Sequence, residues 1–184
     1  YLMEEPLEDS TDTLYLLMQS KLYRTRFVNM VCDLTATVFH GDHVQKVIEE
    51  EDEKLARSMG IYYTDSERLR QQEAVKIMKE RAGQSCAEVH ERLCTHLGAA
   101  DPYRLKVEVP KGYRVAFSEI RLEGGSAFEG TYYHNYPLTL TAEPEDGQAW
   151  YGWRVNGQEF QEKELLLDEK FTVGEMKIEL ITEP

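Results

Sequence analysis

The sequence has little positive charge, no long apolar run and few cysteines. Its 184 residues contain 21 Lys and Arg against 34 Asp and Glu, which gives a formal net charge of −13. Because so acidic a surface repels phosphate backbones, we expect no nucleic-acid partner. No apolar run approaches the roughly 20 residues that a transmembrane helix needs, so we also expect no membrane insertion.

The three cysteines, Cys32, Cys86 and Cys94, cannot all pair within one chain. If Cys86 and Cys94 share a helix, their Cα atoms lie about 12 Å apart, well beyond the roughly 7 Å that a disulfide spans. Either Cys32 pairs with one of the other two, or all three thiols are free. We expect three buried free thiols, because an unpaired cysteine usually behaves as a small apolar residue.

Catalytic motifs are also missing. The chain contains no G-x-S-x-G nucleophile elbow, no phosphate-binding glycine loop and no nucleophile paired with a base by motif. Cys86, His90 and Cys94 follow one another at helical spacing, but the first and last lie too far apart on one helix to share a zinc ion. His40 and His43, at a helix entrance, are interpreted as facing solvent. We therefore expect no catalytic residue, no cofactor and no metal site in this chain.

Apolar residues recur at helical spacing from residue 10 to about residue 100, which predicts a bundle of four or five helices. The acidic segment Tyr1–Asp9 is interpreted as a tether, and the chain as a segment of a longer protein. The strongest apolar stripe comprises Phe27, Val31, Leu34 and Val38.

Capping residues mark where these helices should begin. The predicted starts are Ser10–Asp12, Asp42 with Gln45, Thr64 with Glu67, and Ser85 with Glu88. Gly83 should separate the last two helices. The run of five acidic residues Glu49–Glu53 is interpreted as a solvated helix face.

After Asp101-Pro102 the apolar period changes to two, which predicts strands. The predicted strands are Leu105–Val109, Tyr113–Phe117, Ile120–Leu122, Leu138–Ala142, Trp153–Val155, a return strand from Phe160, Leu165–Leu167 and Met176–Ile181. Asn156-Gly157 predicts a tight hairpin turn, because both residues tolerate positive φ.

The predicted fold class is therefore α+β. A helical bundle over residues 1–102 precedes a small antiparallel β-sandwich or roll over residues 103–184. Because the connection at Asp101-Pro102 is short, we expect the helical and β parts to pack together.

Aromatic residues are concentrated in one part of the β region. The cluster comprises Tyr132, Tyr133, Tyr136, Trp150, Tyr151 and Trp153. Trp153 alternates with Val155 and is predicted to lie in the core. The predicted ligand-contacting residues are Tyr132, Tyr133, Tyr136 and Tyr151, since the first three lie among turn residues and polar-edged rings suit a sugar- or protein-binding platform. The alternative is that these rings form the core of a small domain without disulfides.

Two stretches of the sequence resemble known families. Leu22–Phe39, followed by Val44–Met59, resembles the helices at the end of the spore-coat-protein-H (CotH) kinase-like family, with an F-x-x-R-F-like pattern, a D-L motif and a terminal Phe. Lys79-Glu-Arg81, with Val89 and Leu93, resembles the next two helices of that family. Here Gly60-Ile61-Tyr62 stands where that family often carries an Arg-Trp pair.

Phe128–Ala142 and Trp150–Gly157 resemble the small β modules of bacterial surface proteins, similar to internalin-type repeats. The nucleotide- and metal-binding residues of the CotH-like family belong to a part that precedes its terminal helices, and no position here matches them. The resemblance implies that this chain is the non-catalytic, accessory C-terminal end of a CotH-like protein.

The resemblance also implies a place and partners. We expect a location outside the bacterial cytoplasm, at the cell surface or in the spore coat. The expected partners are the upstream lobe of the parent protein and an envelope or coat component. The alternative function is an independent extracellular glycan- or protein-binding module that uses exposed tyrosines, and a third hypothesis is a small enzyme with an unrecognised site.

Overall fold

The computed structural model describes residues 13–59, 63–171 and 174–183. The predicted tether Tyr1–Asp9 and the predicted cap Ser10–Asp12 lie outside these residues. The helices are α1 (Thr13–Gln19), α2 (Lys21–Ala36), α3 (Gly41–Met59) and α4 (Asp65–Leu97). The strands are β1 (Pro102–Glu108), β2 (Tyr113–Phe117), β3 (Ile120–Leu122), β4 (Ala127–Tyr133), β5 (Leu138–Pro144), β6 (Trp153–Val155), β7 (Gln158–Phe160), β8 (Glu164–Leu167) and β9 (Glu175–Leu180). The predicted α+β class is confirmed.

The strands form two sheets that share one core. One sheet has the order β4-β1-β9-β6-β7 and the other the order β3-β2-β5-β8. Buried and exposed side chains alternate along β1, where Tyr103, Leu105 and Val107 face inward. Phe117 of the second sheet contacts Phe128 of the first, with ring centroids 5.2 Å apart. The inner faces of the two sheets therefore bury each other's apolar side chains.

Seven of the strands predicted from sequence are confirmed to within a few residues. The return strand is misplaced, because β7 begins at Gln158 and ends at Phe160 instead of starting there. One further strand was missed. Trp153 is fully buried, as predicted. Asn156 and Gly157 both have positive φ at the turn between β6 and β7, which is the hairpin that this dipeptide predicts. The missed strand is β4, whose Gly130 and adjacent polar residues hide its alternation. The sheets are also not purely antiparallel, because β1 pairs with β9 in parallel.

The helical region differs from the prediction at Gly83. One continuous helix, α4, runs from Asp65 to Leu97, where two helices were expected. Glycine weakens a helix interior by only about 1 kcal/mol, and here its small size has a use. A Cβ on Gly41, at the start of α3, would lie 3.4 Å from the Cα of Gly83, so these two glycines let the helices approach closely.

The capping predictions have mixed outcomes. Glu67 accepts a hydrogen bond from the backbone N–H of Thr64 at 2.8 Å, so half of that capping box is confirmed. The hydroxyl of Thr64 donates to the Glu67 carboxylate and does not accept from its backbone N–H. The box at Asp42 is wrong, because the side chain of Gln45 donates to the carbonyl oxygen of Lys79 at 3.1 Å. The box at Ser85 is also wrong, since its hydroxyl donates to the carbonyl of Ala82 within the helix.

The predicted inner face of α2 is wrong by about one residue. The side chains that are buried belong to Val28, Asn29, Cys32 and Asp33, whereas Val38 is 55% exposed. The buried face of α2 is the one whose polar groups have hydrogen-bond partners. Asn29 on this face donates to the carbonyl oxygen of Pro137 at 2.9 Å. The spacing of apolar residues alone does not predict which face of α2 is buried, because buried polar groups need hydrogen-bond partners.

The chain divides into two compact units. One contains both sheets with the described residues up to Asp33 and those from Arg92 onwards, so helices and strands do pack together within it. The other is Leu34–Glu91, which contains α3 and most of α4. The domain boundary expected at residue 102 stays a prediction.

The backbone at Gly152, just before β6, predicts a strict requirement for glycine. Its φ is +132°, and an added Cβ would lie 2.4 Å from the carbonyl oxygen of Phe160. We expect Gly152→Ala to lower the free energy of unfolding by at least about 2 kcal/mol, measured by urea denaturation. Gly174→Ala is the control, because nothing lies within 4 Å of its Cβ position. Equal stability of the two variants would contradict the prediction.

Candidate functional site

Three of the four tyrosines predicted to contact a ligand are buried. Tyr132, Tyr133 and Tyr136 are 0%, 2% and 6% exposed. The expected exposure of these rings is wrong, because Tyr132 and Tyr133 lie in β4 rather than in a turn and their hydroxyls face helices. Tyr151 is half-buried. Ligand contact by these four residues stays a prediction.

The hydroxyl of Tyr132 contacts a buried carboxylate on α2. It donates to Asp33 Oδ1 at 2.6 Å, and the backbone N–H of Glu119 donates to Asp33 Oδ2 at 3.0 Å. The side chain of Ser118 is a further hydrogen-bond partner of Asp33. Asp33 therefore joins α2 to β4 and to the turn between β2 and β3.

The residues that follow Tyr132 hold the end of α4 in the same way. The thiol of Cys94 donates to Tyr133 Oη at 3.6 Å, and the hydroxyl of Tyr136 donates to the carbonyl oxygen of Leu97. Asn135 accepts from the N–H of Ala100 at 3.0 Å and donates to a carbonyl at the helix terminus. The tyrosine segment satisfies groups that a helix end leaves without intrahelical partners, so its visible role is structural.

Burial sets the protonation of the groups around this contact. It raises the pKa of Asp33, although hydrogen bonds from Tyr132, Ser118 and Glu119 act against this shift. It also raises the pKa of the Cys32 thiol to about 12, so that thiol is protonated at neutral pH. An inaccessible, protonated thiol and a fully hydrogen-bonded carboxylate do not form a nucleophile and base pair.

The cysteines and histidines that suggested metal chemistry have separate local roles. All three cysteines are free, but only Cys32 is buried. Cys86 is half-buried and Cys94 is exposed, so the expectation of three buried thiols is wrong for these two. Cys86 donates to the carbonyl oxygen of Phe39 at 2.9 Å, and His90 hydrogen-bonds Thr35 at 3.2 Å. Within the described ranges, no group of three His, Cys, Asp or Glu side chains is placed to hold a metal ion.

A pocket of about 550 Å³ opens at one end of the first sheet, where β1 begins and β4 ends. It is lined by Asp101, Pro102, His134, Asn135, Glu169, Phe171 and Gly174. The side chain of Asn135 already holds the end of α4. The imidazole of His134 stacks on Tyr103, with ring centroids 4.5 Å apart.

Large exposed apolar side chains are concentrated on the helices of both units. Among the described residues, the exposed large apolar side chains on helices or their connections are Leu16, Leu17, Leu22, Met30, Val38, Phe39, Val47, Leu55, Tyr63, Leu69, Ile77 and Met78. On the described strands, only Leu166 belongs to this class, at 50% exposure. Large exposed apolar side chains of this kind are characteristic of surfaces that contact another molecule.

The unit Leu34–Glu91 contains almost no core of its own. Among its described residues only Thr35 and Ala82 are buried. Polar side chains connect α3 with α4. Gln71 donates to Asp52 at 2.7 Å, and Lys79 pairs with Glu49 at 2.6 Å. Because so few of its side chains are buried, the apolar side chains of this helix pair remain exposed to solvent.

Comparison of the chain with protein-family models, with curated proteins and with solved structures finds no match. The resemblance to the CotH kinase-like family therefore stays a prediction, as does any location. No helix within the described ranges is long and apolar enough to cross a membrane.

The raised pKa of Asp33 predicts a specific pH dependence of stability. The folded protein holds this proton at pH values where the unfolded chain, with a pKa near 3.8, has lost it. The contribution of Asp33 to the free energy of unfolding is therefore largest below pH 3.8 and falls as the pH rises through the higher folded pKa. Asp33→Asn removes this titration.

We compare the free energy of unfolding of the natural chain minus that of Asp33→Asn. We expect this difference to be larger at pH 4 than at pH 7. Urea denaturation at each pH measures it, and subtracting the two proteins cancels the titration of the other carboxylates. A difference that is constant or grows with pH would contradict the assignment of the raised pKa to Asp33.

Proposed function

We propose that this chain is a non-catalytic accessory region that binds another polypeptide through the exposed apolar surface of its helices. The observation that carries the proposal is the unit Leu34–Glu91, which exposes Val47, Leu55, Leu69 and Ile77 and buries almost nothing. Monomeric proteins seldom leave so many large apolar side chains uncovered on one unit, and such surfaces commonly mark interfaces.

The resemblance of Leu22–Phe39 and Val44–Met59 to the CotH kinase-like family gives the proposal its partner. In that family these helices follow a kinase-like lobe, so the partner is the upstream lobe of the parent protein. The β module would then contact an envelope or coat component at the bacterial surface. No cofactor is assigned to this chain.

The alternative is an independent extracellular glycan- or protein-binding module. Its support is weaker than the sequence suggested, because Tyr132, Tyr133 and Tyr136 lie in the core. The half-buried Tyr151 and the pocket beside Phe171 are the observations that still favour it.

The proposed interface can be tested with the polypeptide that the gene encodes in frame before Tyr1, expressed separately. We expect the purified chain to bind it. The triple variant Val47→Gln, Leu55→Gln and Leu69→Gln should raise the dissociation constant at least tenfold, because each buried apolar side chain contributes about 1.5–3 kcal/mol. Isothermal titration calorimetry measures the affinity.

Leu166→Gln is the matched control, since it removes an exposed leucine from a strand and should leave the affinity unchanged. All of these variants should keep the free energy of unfolding within about 0.5 kcal/mol, because the altered side chains are exposed. No binding by the natural chain, or equal binding by the triple variant, would contradict the proposed function.

The variant Tyr133→Ala separates the proposal from its alternative. A core tyrosine predicts a loss of about 3–5 kcal/mol in the free energy of unfolding, because truncating a buried aromatic leaves a cavity. A binding tyrosine predicts weaker retention on a glycan array or envelope fraction at unchanged melting temperature. We expect the first result, and the second would favour the binding module.

A further inference from the structure

One face of α4 combines exposed apolar residues with arginines. Residues four, three and four positions apart lie along one side of a helix. Arg70, Ala74, Ile77 and Arg81 have this spacing and all four are exposed. We call these four residues the arginine stripe. The side that faces α3 is different and comprises the half-buried or buried Gln71, Val75, Lys79, Ala82 and Cys86.

The arginines of this stripe have no ion-pair partner among the described residues. Glu73 and Glu80 belong to the same helix, but no carboxylate oxygen of either lies within 4.0 Å of a guanidinium nitrogen of Arg70 or Arg81. The glutamates of the acidic run on α3 differ from these arginines, because each of them has an ion-pair partner. Glu49 pairs with Lys79, and the pairs Lys46–Glu50, Lys54–Glu51 and Arg57–Glu53 lie within α3.

Arg70 and Arg81 carry positive charge on a chain whose net charge is −13. An acidic chain offers many carboxylates with which an arginine could pair, so two exposed arginines without such a contact present positive charge outward. They flank Ile77, which is 42% exposed, and Met78 beside it is 53% exposed. Arginine and methionine beside exposed apolar residues are the composition of protein interfaces.

We propose that the arginine stripe of α4 docks an acidic amphipathic helix, with apolar side chains over Ala74 and Ile77 and carboxylates over Arg70 and Arg81. The two arginines are eleven residues apart, or about 16 Å along the helix. A partner helix of three to four turns therefore spans both. The inference rests on the proposed function, since it specifies the chemistry of the partner that covers this unit.

The experiment uses two synthetic 18-residue helical peptides that have the same leucine stripe. One carries glutamates beside the leucines and the other carries lysines. Non-specific attraction to a chain of net charge −13 favours the lysine peptide. We expect the reverse: the glutamate peptide should bind the full chain at least tenfold more tightly, and its affinity should weaken in 0.5 M salt. Fluorescence anisotropy of labelled peptides measures both affinities.

The double variant Arg70→Glu, Arg81→Glu should reverse this preference. The control Lys111→Glu, Lys163→Glu makes the same change in net charge at two exposed positions of the β region and should keep it. Equal binding of the two peptides, preference for the lysine peptide, failure of both to bind, or a preference that the arginine variant retains would each overturn the proposal. A dimer seen by light scattering that the arginine variant dissociates would name a second copy as the occupant and also overturn it.

These outcomes remain separable from those of the proposed function. If the in-frame upstream polypeptide binds, depends on Val47, Leu55 and Leu69, and is unaffected by Arg70→Glu with Arg81→Glu, the interface stands and the acidic-helix assignment fails. If that polypeptide does not bind while the glutamate peptide binds through the arginines, the partner assignment fails and the arginine stripe stands.

Discussion

The unit that contains the sheets depends on one buried carboxylate. Asp33 accepts hydrogen bonds from Tyr132 and from the turn between β2 and β3, so it joins a helix to both sheets. Burying a charge without partners would cost several kcal/mol. The surrounding donors offset part of that cost, since the pKa of Asp33 is still raised. They can do so only with α2 at this rotation and β4 at this register, so the contact favours both.

The tyrosines near Asp33 have a different role from the ligand contact that the aromatic cluster in the sequence suggests. Each of Tyr132, Tyr133 and Tyr136 has a ring in the apolar core and a hydroxyl on a helix. Tyrosine suits this position because its body is apolar and its end is polar. A ring used in this way holds helices to a sheet and is not presented to a ligand.

The helical unit has the opposite property. Gln71 bonds to Asp52 and Lys79 pairs with Glu49 between its two long helices, while only two described residues of the unit are buried. Because burial of apolar surface is the main favourable term in folding, a unit of this kind gains stability from whatever covers it. In the proposed function, the exposed apolar residues of α3 and α4 and the arginine stripe belong to the surface that the partner covers.

The sequence by itself determined the local structure. The change of period after Pro102, the Asn156-Gly157 turn, half of the capping box at Thr64 and the core position of Trp153 all depend on neighbouring residues, and all were predictable. It also determined the acidic charge and the lack of a catalytic motif.

Only the tertiary structure decided what depends on distant residues. The rotation of α2, the strand that contains Tyr132 and the parallel pairing of β1 with β9 follow from contacts far apart in sequence. The helix α4 continues through Gly83, and Gly41 of α3 approaches closely at that point. The unmatched state of Arg70 and Arg81 is likewise invisible in sequence, because composition counts charges and only the fold decides which of them meet.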